Sequence, residues 1–212
     1  MCAHHCDCAL FLLEEEVRAI STGTSKPYKI GFLGTMALVG AVLVFMYAST
    51  FPSEHTYTIF GAVLFAVIGI AFAFIMVGLK FEPFALRDLV ESLIWTAVSV
   101  GAIWIINVTV PFNLDVAPLS MRMFSVLQGV AEESFFRVWL CAFAFKVTKQ
   151  AWLAIGVSSG IWALYHMQRY GGAGMGTFLV IFMAGCVLGW VMLTSKMGDG
   201  VIFGHALVNF LA

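Results

Sequence analysis

Ser120 to Phe145 reads SMRMFSVLQGVAEESFFRVWLCAFAF. The stretch is long enough to cross the roughly 30 Å hydrocarbon layer of a bilayer as one helix, yet Glu132, Glu133 and Arg137 sit in its interior. Insertion scales put an ion at the centre of a span near +2.5 to about +3.5 kcal/mol each, so three within six residues require a purpose. Helical geometry supplies part of it. Glu133 and Arg137 are four apart, share a face and can neutralise one another. Glu132 is rotated by about 100° from Glu133 and is left over as a spare carboxylate at membrane depth.

Outward from this segment the chain is apolar throughout. Of its 212 residues 61% are hydrophobic and 11% charged, with a mean hydropathy of +0.97. A soluble domain runs at about 45–50% apolar and about 25% charged, so the chain needs lipid to cover it. A net charge of −1 offers no field for phosphate backbones, which sets nucleic acid aside as a partner. Only Ala9 to Leu13 resemble a signal-peptide core, with no basic stretch before them. Uncharged runs at Ile30–Phe51, Thr56–Leu79, Ser92–Val110, Gln150–Met167 and Gly174–Thr194 join Ser120–Phe145 as spans. Val201–Ala212 is too short to cross alone. The expected fold is all-α: a polytopic transmembrane bundle of six spans plus a short, buried C-terminal helix. Placing Arg18, Lys26, Lys29, Lys80, Arg87, Lys146, Lys149 and Lys196 in the cytoplasm leaves Arg122 and Arg169 outside, so the N-terminus is expected inside. The protein is therefore expected to be integral and multi-pass, in the cell membrane if its host is prokaryotic.

Residues 1–28 differ in kind from the transmembrane domain at 29–212. Cys2, His4, His5, Cys6 and Cys8 are soft-metal ligands by type, but Cys-x3-Cys-x-Cys matches no paired zinc ribbon or haem site, and the plainer reading is a cytoplasmic tail of reduced thiols. Leu10 to Ile20 is expected to be an interfacial helix.

The remaining chemistry lies in later spans. His166 follows Trp162 by four residues, and Asn209 follows His205 by four, so each pair shares a face. A carboxylate and a histidine can deprotonate a water, while a second histidine and an amide can donate to an oxyanion. No Ser or Cys beside them has a clear claim as nucleophile, which favours water.

Three motifs now stand in order. Glu132-Glu133-Ser-Phe-Phe-Arg137 resembles the EExxxR motif of the CPBP family, the membrane-embedded proteases that include type II CAAX prenyl proteases and Abi proteins. Trp162-Ala-Leu-Tyr-His166 stands where that family has FxxxH, and His205-Ala-Leu-Val-Asn209 where it has HxxxN or HxxxD. The resemblance covers roughly residues 120–212. It implies an intramembrane glutamic-type endopeptidase in which Glu132, assisted by His166, activates water. It further implies that His205 and Asn209 stabilise the oxyanion and that Glu133 and Arg137 shape the site. Trp162 departs from the family's Phe and adds an N–H donor. Family members often continue into a further helix after the third motif, so one side of the site is expected to open to lipid or to another subunit.

The expected partners are membrane lipid and a peptide or protein substrate at the membrane, with a non-catalytic subunit or chaperone of a larger complex as the alternative. A proton-coupled transporter would call for inverted repeats, and none is visible. No cofactor is expected: zinc at Glu132, His166 and His205 fits by ligand type, but the His-Glu-x-x-His helix is absent. One depth does not fit. At 1.5 Å per residue Glu132 lies about 20 Å in from Lys146 and His166 about 25 Å in from Lys149, whereas His205 lies only about 9 Å from Asp199. Gly198–Gly200 is therefore expected to be a loop dipping into a wet cavity.

Overall fold

Helices of the expected order build the chain, and their ends show what holds them together. A computed structural model describes residues 27–46, 53–82, 88–109, 119–169 and 174–211. Cys2, His4, His5, Cys6, Cys8 and the expected Leu10–Ile20 helix lie outside these residues. Helix α1 spans Phe32–Met46, and α2 spans Ser53–Phe72 and runs into a π-helical turn, Ala73–Val77. Helix α3 is Leu89–Thr109 and α4 is Leu119–Glu133, followed by a π-helical segment Ser134–Cys141 and α5, Ala142–Thr148. Then come α6 (Ala151–Arg169), α7 (Met175–Ser195) and α8 (Gly198–Leu211). A two-residue parallel ribbon, β1 (Lys29–Ile30) with β2 (Lys80–Phe81), is the only sheet among the described residues. Three of these helices are long and apolar enough to cross a membrane, over Phe60–Val77, Leu89–Ile106 and Met175–Ser195; α1 is a shorter apolar helix.

Two expectations are corrected. The Ser120–Phe145 run is not one regular α-helix: immediately after Glu133 the backbone widens into i→i+5 bonding, a rare local form. Nor is Gly198–Gly200 a loop. It is the first turn of α8, and Asp199, taken above as an aqueous end, is fully buried. The reason is local. Its carboxylate accepts backbone N–H groups at the start of α1, Gly31 at 2.6 Å and Leu33 at 3.2 Å, and the Ser92 hydroxyl at 3.1 Å.

Helix α8 is the hub of the bundle, packed against α1, α3, α4 and α7. Small residues allow this closeness, as in membrane helix pairs generally. A Cβ at Gly204 would lie 2.8 Å from Ser99 Cβ, and one at Gly200 would lie 2.7 Å from Trp95 Cβ, both on α3. On the other side of α4, Gly69 of α2 lies so close that a Cβ there would meet the Ser134 carbonyl at 2.7 Å. Phe65, one turn away, stacks on Phe135 with centroids 3.9 Å apart.

One end of the bundle collects lysines. Lys29 pairs with Lys80 in the ribbon, and its amide donates to the Lys196 carbonyl at 2.8 Å. The Lys29 ammonium is bonded to Asp88. Lys146 Nζ donates to the Met76 carbonyl at 2.7 Å, and Lys196 Nζ to the Tyr28 hydroxyl at 2.9 Å. Lys149 (φ 58°) and Lys196 (φ 59°) adopt the left-handed conformation that closes α5 and α7, where a cation also complements the helix dipole.

The glycine packing predicts opposite outcomes for one substitution at two sites. Gly204→Ala should cost about 1–3 kcal/mol through overpacking. Gly101→Ala, on the same helix pair but with nothing within 4 Å of its Cβ, should gain about 0.5–1 kcal/mol of helix propensity. Unfolding titrations in mixed detergent micelles read both.

Candidate active site

Glu132 and Glu133 end α4, and the 100° between them sends their carboxylates to different partners. Glu133 is fully buried and salt-bridged to the equally buried Arg137, with Nη1 3.2 Å from Oε1. Oε1 also meets His205 Nδ1 of α8 at 2.8 Å. A carboxylate only accepts, so that ring nitrogen carries the hydrogen, and Nε2 lies on the far side of the ring. The Arg137 guanidinium is covered by the Trp162 ring 4.0 Å away, a cation–π contact in an apolar setting.

Glu132 faces α6. Trp162 Nε1–H donates to its Oε2 at 2.9 Å, and His166 Nε2 stands 3.5 Å from that same oxygen. On its other side, His166 Nδ1 is 3.0 Å from the Trp162 carbonyl. A carbonyl also only accepts, so Nδ1 bears a hydrogen and Nε2 is the ring nitrogen turned toward Glu132. In the neutral form of the ring two acceptors face one another. A water at the apex of the pair would give one hydrogen to each and lie polarised between them, the arrangement general-base chemistry requires. Both side chains are nearly buried, 6% and 12% exposed, so bulk water competes little.

The two halves meet at Trp162. Its ring contacts His166 edge-on at 4.7 Å and stands at 87° to the His205 ring at 6.0 Å. The structure thus brings Glu132, Trp162 and His166 into one group and Glu133, Arg137 and His205 into a second group beside it. Asn209 reaches elsewhere: its Nδ2 donates to the Ser125 carbonyl of α4 at 2.9 Å, at a place where a Cβ on Gly129 would come 3.1 Å from the same nitrogen. Glu132, His166 and His205, weighed above for zinc, do not form a metal-holding set among the described residues.

Sequence reasoning found the Glu133–Arg137 pair but not the His205 contact on it, and it treated Trp162 as a substitution rather than as a hydrogen-bond donor to Glu132. The signal for the latter was present in the Trp itself, since a buried indole N–H needs an acceptor.

Residues 115–211 match the family model described as Type II CAAX prenyl endopeptidase Rce1-like, a range that holds every residue of both groups. No curated protein and no solved structure matches the chain.

Removing one member of the fully buried pair should be severe. Arg137→Ala strands the Glu133 charge and uncovers Trp162, at a cost of about 3–5 kcal/mol; loss of the folded fraction on detergent size-exclusion and a lowered unfolding midpoint are the expected results.

Proposed function

With residues 115–211 forming an Rce1-like domain in an integral membrane protein, we propose that the chain is an intramembrane endopeptidase that cleaves a peptide bond of a membrane-associated or prenylated protein. The observation that carries this reading is the Glu132–His166 pair, with Nε2 3.5 Å from Oε2 and Nδ1 held at 3.0 Å by the Trp162 carbonyl. The family match supports the class of reaction, and the geometry supports the assignment of parts.

In this reading the Glu132–His166 pair takes a proton from water, and the hydroxide so formed adds to the scissile carbonyl carbon. Negative charge develops on the carbonyl oxygen. His205, held through Nδ1 by Glu133, offers Nε2–H to that oxygen when the ring is protonated, with Glu133 as counter-ion. Asn209 Nδ2, spent on the Ser125 carbonyl, serves the site by tying the end of α8 to α4. The proton held by the pair then passes to the departing amine as the carbon–nitrogen bond breaks, leaving a carboxylate and an amine. Trp162 Nε1–H fixes the Glu132 oxygen that does the work.

The six-span arrangement with the lysine end in the cytoplasm belongs to the same proposal; at 1.5 Å per residue Glu132 and His166 lie about 20 and 25 Å from that end, so the scissile bond would be reached beyond the bundle's midplane. Three lysines at the lysine end, Lys29, Lys146 and Lys196, bind neighbouring main-chain or side-chain groups, as expected for the retained cytoplasmic face.

The test is cleavage of a fluorogenic prenylated CAAX-type peptide by the chain reconstituted in proteoliposomes. Glu132→Gln should lower kcat by about a hundred- to ten-thousandfold, the range of a lost general base, while circular dichroism and the unfolding midpoint stay unchanged. Cleavage by this variant at the rate of the unaltered chain ends the proposal. In the same assay Trp162→Phe keeps the ring over Arg137 but removes the N–H, and kcat should fall by about ten- to a hundredfold, the equivalent of one hydrogen bond to a charged group of about 1.5–3 kcal/mol.

A further inference from the structure

Asp199 lies outside the three motifs and is the fully buried acid of the first turn of α8. Three helices begin around its carboxylate. Gly31 immediately precedes α1, and its carbonyl accepts the Thr35 amide at 3.1 Å, so it occupies the N-cap position. An N-cap residue ordinarily satisfies the free N–H groups of the first turn with its own side chain. Gly31 has none. Asp199, 168 residues away, does it instead, accepting from Gly31 at 2.6 Å and from Leu33 at 3.2 Å. The third donor is Ser92, in the first turn of α3. Three helix N-termini, each carrying roughly +0.5 of an elementary charge, surround one carboxylate, so no cationic side chain is needed to bury it.

The neighbouring glycines fit this acid. A Cβ on Gly31 would lie 2.9 Å from Asp199 Oδ2, and one on Gly34 would lie 2.7 Å from Oδ1. A side chain at position 31, including one that could cap in cis, is therefore incompatible with Asp199 in its place. Further along, α8 is flanked by the close contacts of Gly200 and Gly204 with α3, and its far end is tied by Asn209 to the Ser125 carbonyl. His205 lies between the two ties, six residues or about 9 Å from Asp199 along the axis, with 2.8 Å to Glu133.

We propose that Asp199 is a positioning residue: by joining the first turns of α1 and α3 to α8 it fixes the axial register at which His205 meets Glu133. The link to catalysis rests on the proteolytic reading above; the link to His205 geometry does not. A shift of about 1 Å in a reacting group can cost about a hundredfold in rate, and the Asp199 and Asn209 bonds hold the two ends of α8, fourteen residues long, against such a slide.

The test separates register from simple capping. Asp199→Ala should lower both the unfolding midpoint and kcat, the latter by about a hundredfold, with KM unchanged. Gly31→Asp in the Asp199→Ala background restores a cap to α1 in cis; Gly31 has no positive φ, and the oxygen its Cβ would have met is gone. The double variant should regain the midpoint but not kcat, because α1 is capped again while α8 remains untied. A second readout needs no substrate: the low-field proton of His205 Nδ1–H on Glu133, assigned by its loss in His205→Gln, should move in Asp199→Ala and stay displaced in the double variant. Recovery of kcat and of this resonance together with the midpoint would show that Asp199 is a cap and nothing more. An unmoved resonance in Asp199→Ala would overturn the proposal as well. If the unaltered chain cleaves nothing, the proteolytic reading falls and the resonance alone decides the role of Asp199.

Discussion

A guanidinium and a carboxylate with no exposed surface, 3.2 Å apart inside an apolar bundle, are the constraint that the remaining architecture has to satisfy. Taking both ions out of water costs several kcal/mol each after relaxation, and their attraction offsets this only with good geometry and further hydrogen bonds. Each feature around the pair meets part of that demand. Arg137, four residues on in the π-helical segment that follows Glu133, reaches back to the carboxylate along the same face. Trp162 lays a ring on the open face of the guanidinium. His205 adds a second donor to Glu133 Oε1. The pair therefore recruits α6 and α8 to one side of α4, and the same recruitment gathers the candidate reagents.

Helix α8 shows how a segment too short to span a bilayer can be held at depth. Its polar ends are satisfied by protein rather than by water: Asp199 by the first turns of α1 and α3, Asn209 by a carbonyl of α4. Between them, glycines let its backbone lie against α3 and α4. Non-spanning backbone is tolerated in lipid where neighbouring protein shields it, and here it is also the element that carries an imidazole to Glu133.

Much of this was legible in the sequence because helical arithmetic is local. The Glu133–Arg137 pair follows from a spacing of four, Glu132 stands apart because of the rotation between neighbours, and the helix order follows from uncharged runs. What could not be read is what depends on contacts across the chain. Asp199 looks like a surface turn beside two glycines until Gly31, 168 residues earlier, is seen to lack the cap that Asp199 provides. The depth mismatch at His205 was a true signal given the wrong cause: its origin is a buried helix start, not a dipping loop. The π-helical segment has no sequence mark at all, since Ser134–Cys141 is as apolar and helix-compatible as its flanks. The partner of His205 likewise depends on how α8 lies across α4, which no spacing within α8 encodes.

Two adjacent glutamates could have competed for one cation, and the fold prevents this by geometry. Glu133 faces Arg137 and His205, whereas Glu132 faces an indole N–H and the imidazole of His166. The first set matches a fixed negative charge with a fixed positive one, an arrangement suited to holding structure. The second surrounds a carboxylate with a neutral donor and a proton-accepting ring, an arrangement suited to moving a proton. Trp162 belongs to both, through its face on Arg137 and its N–H on Glu132, so any shift of α6 would disturb the structural pair and the reactive pair together. A phenylalanine could supply the face alone. Tryptophan at this position therefore ties the orientation of the spare carboxylate to the most deeply buried ion pair among the described residues, and the rigidity of the second is lent to the first.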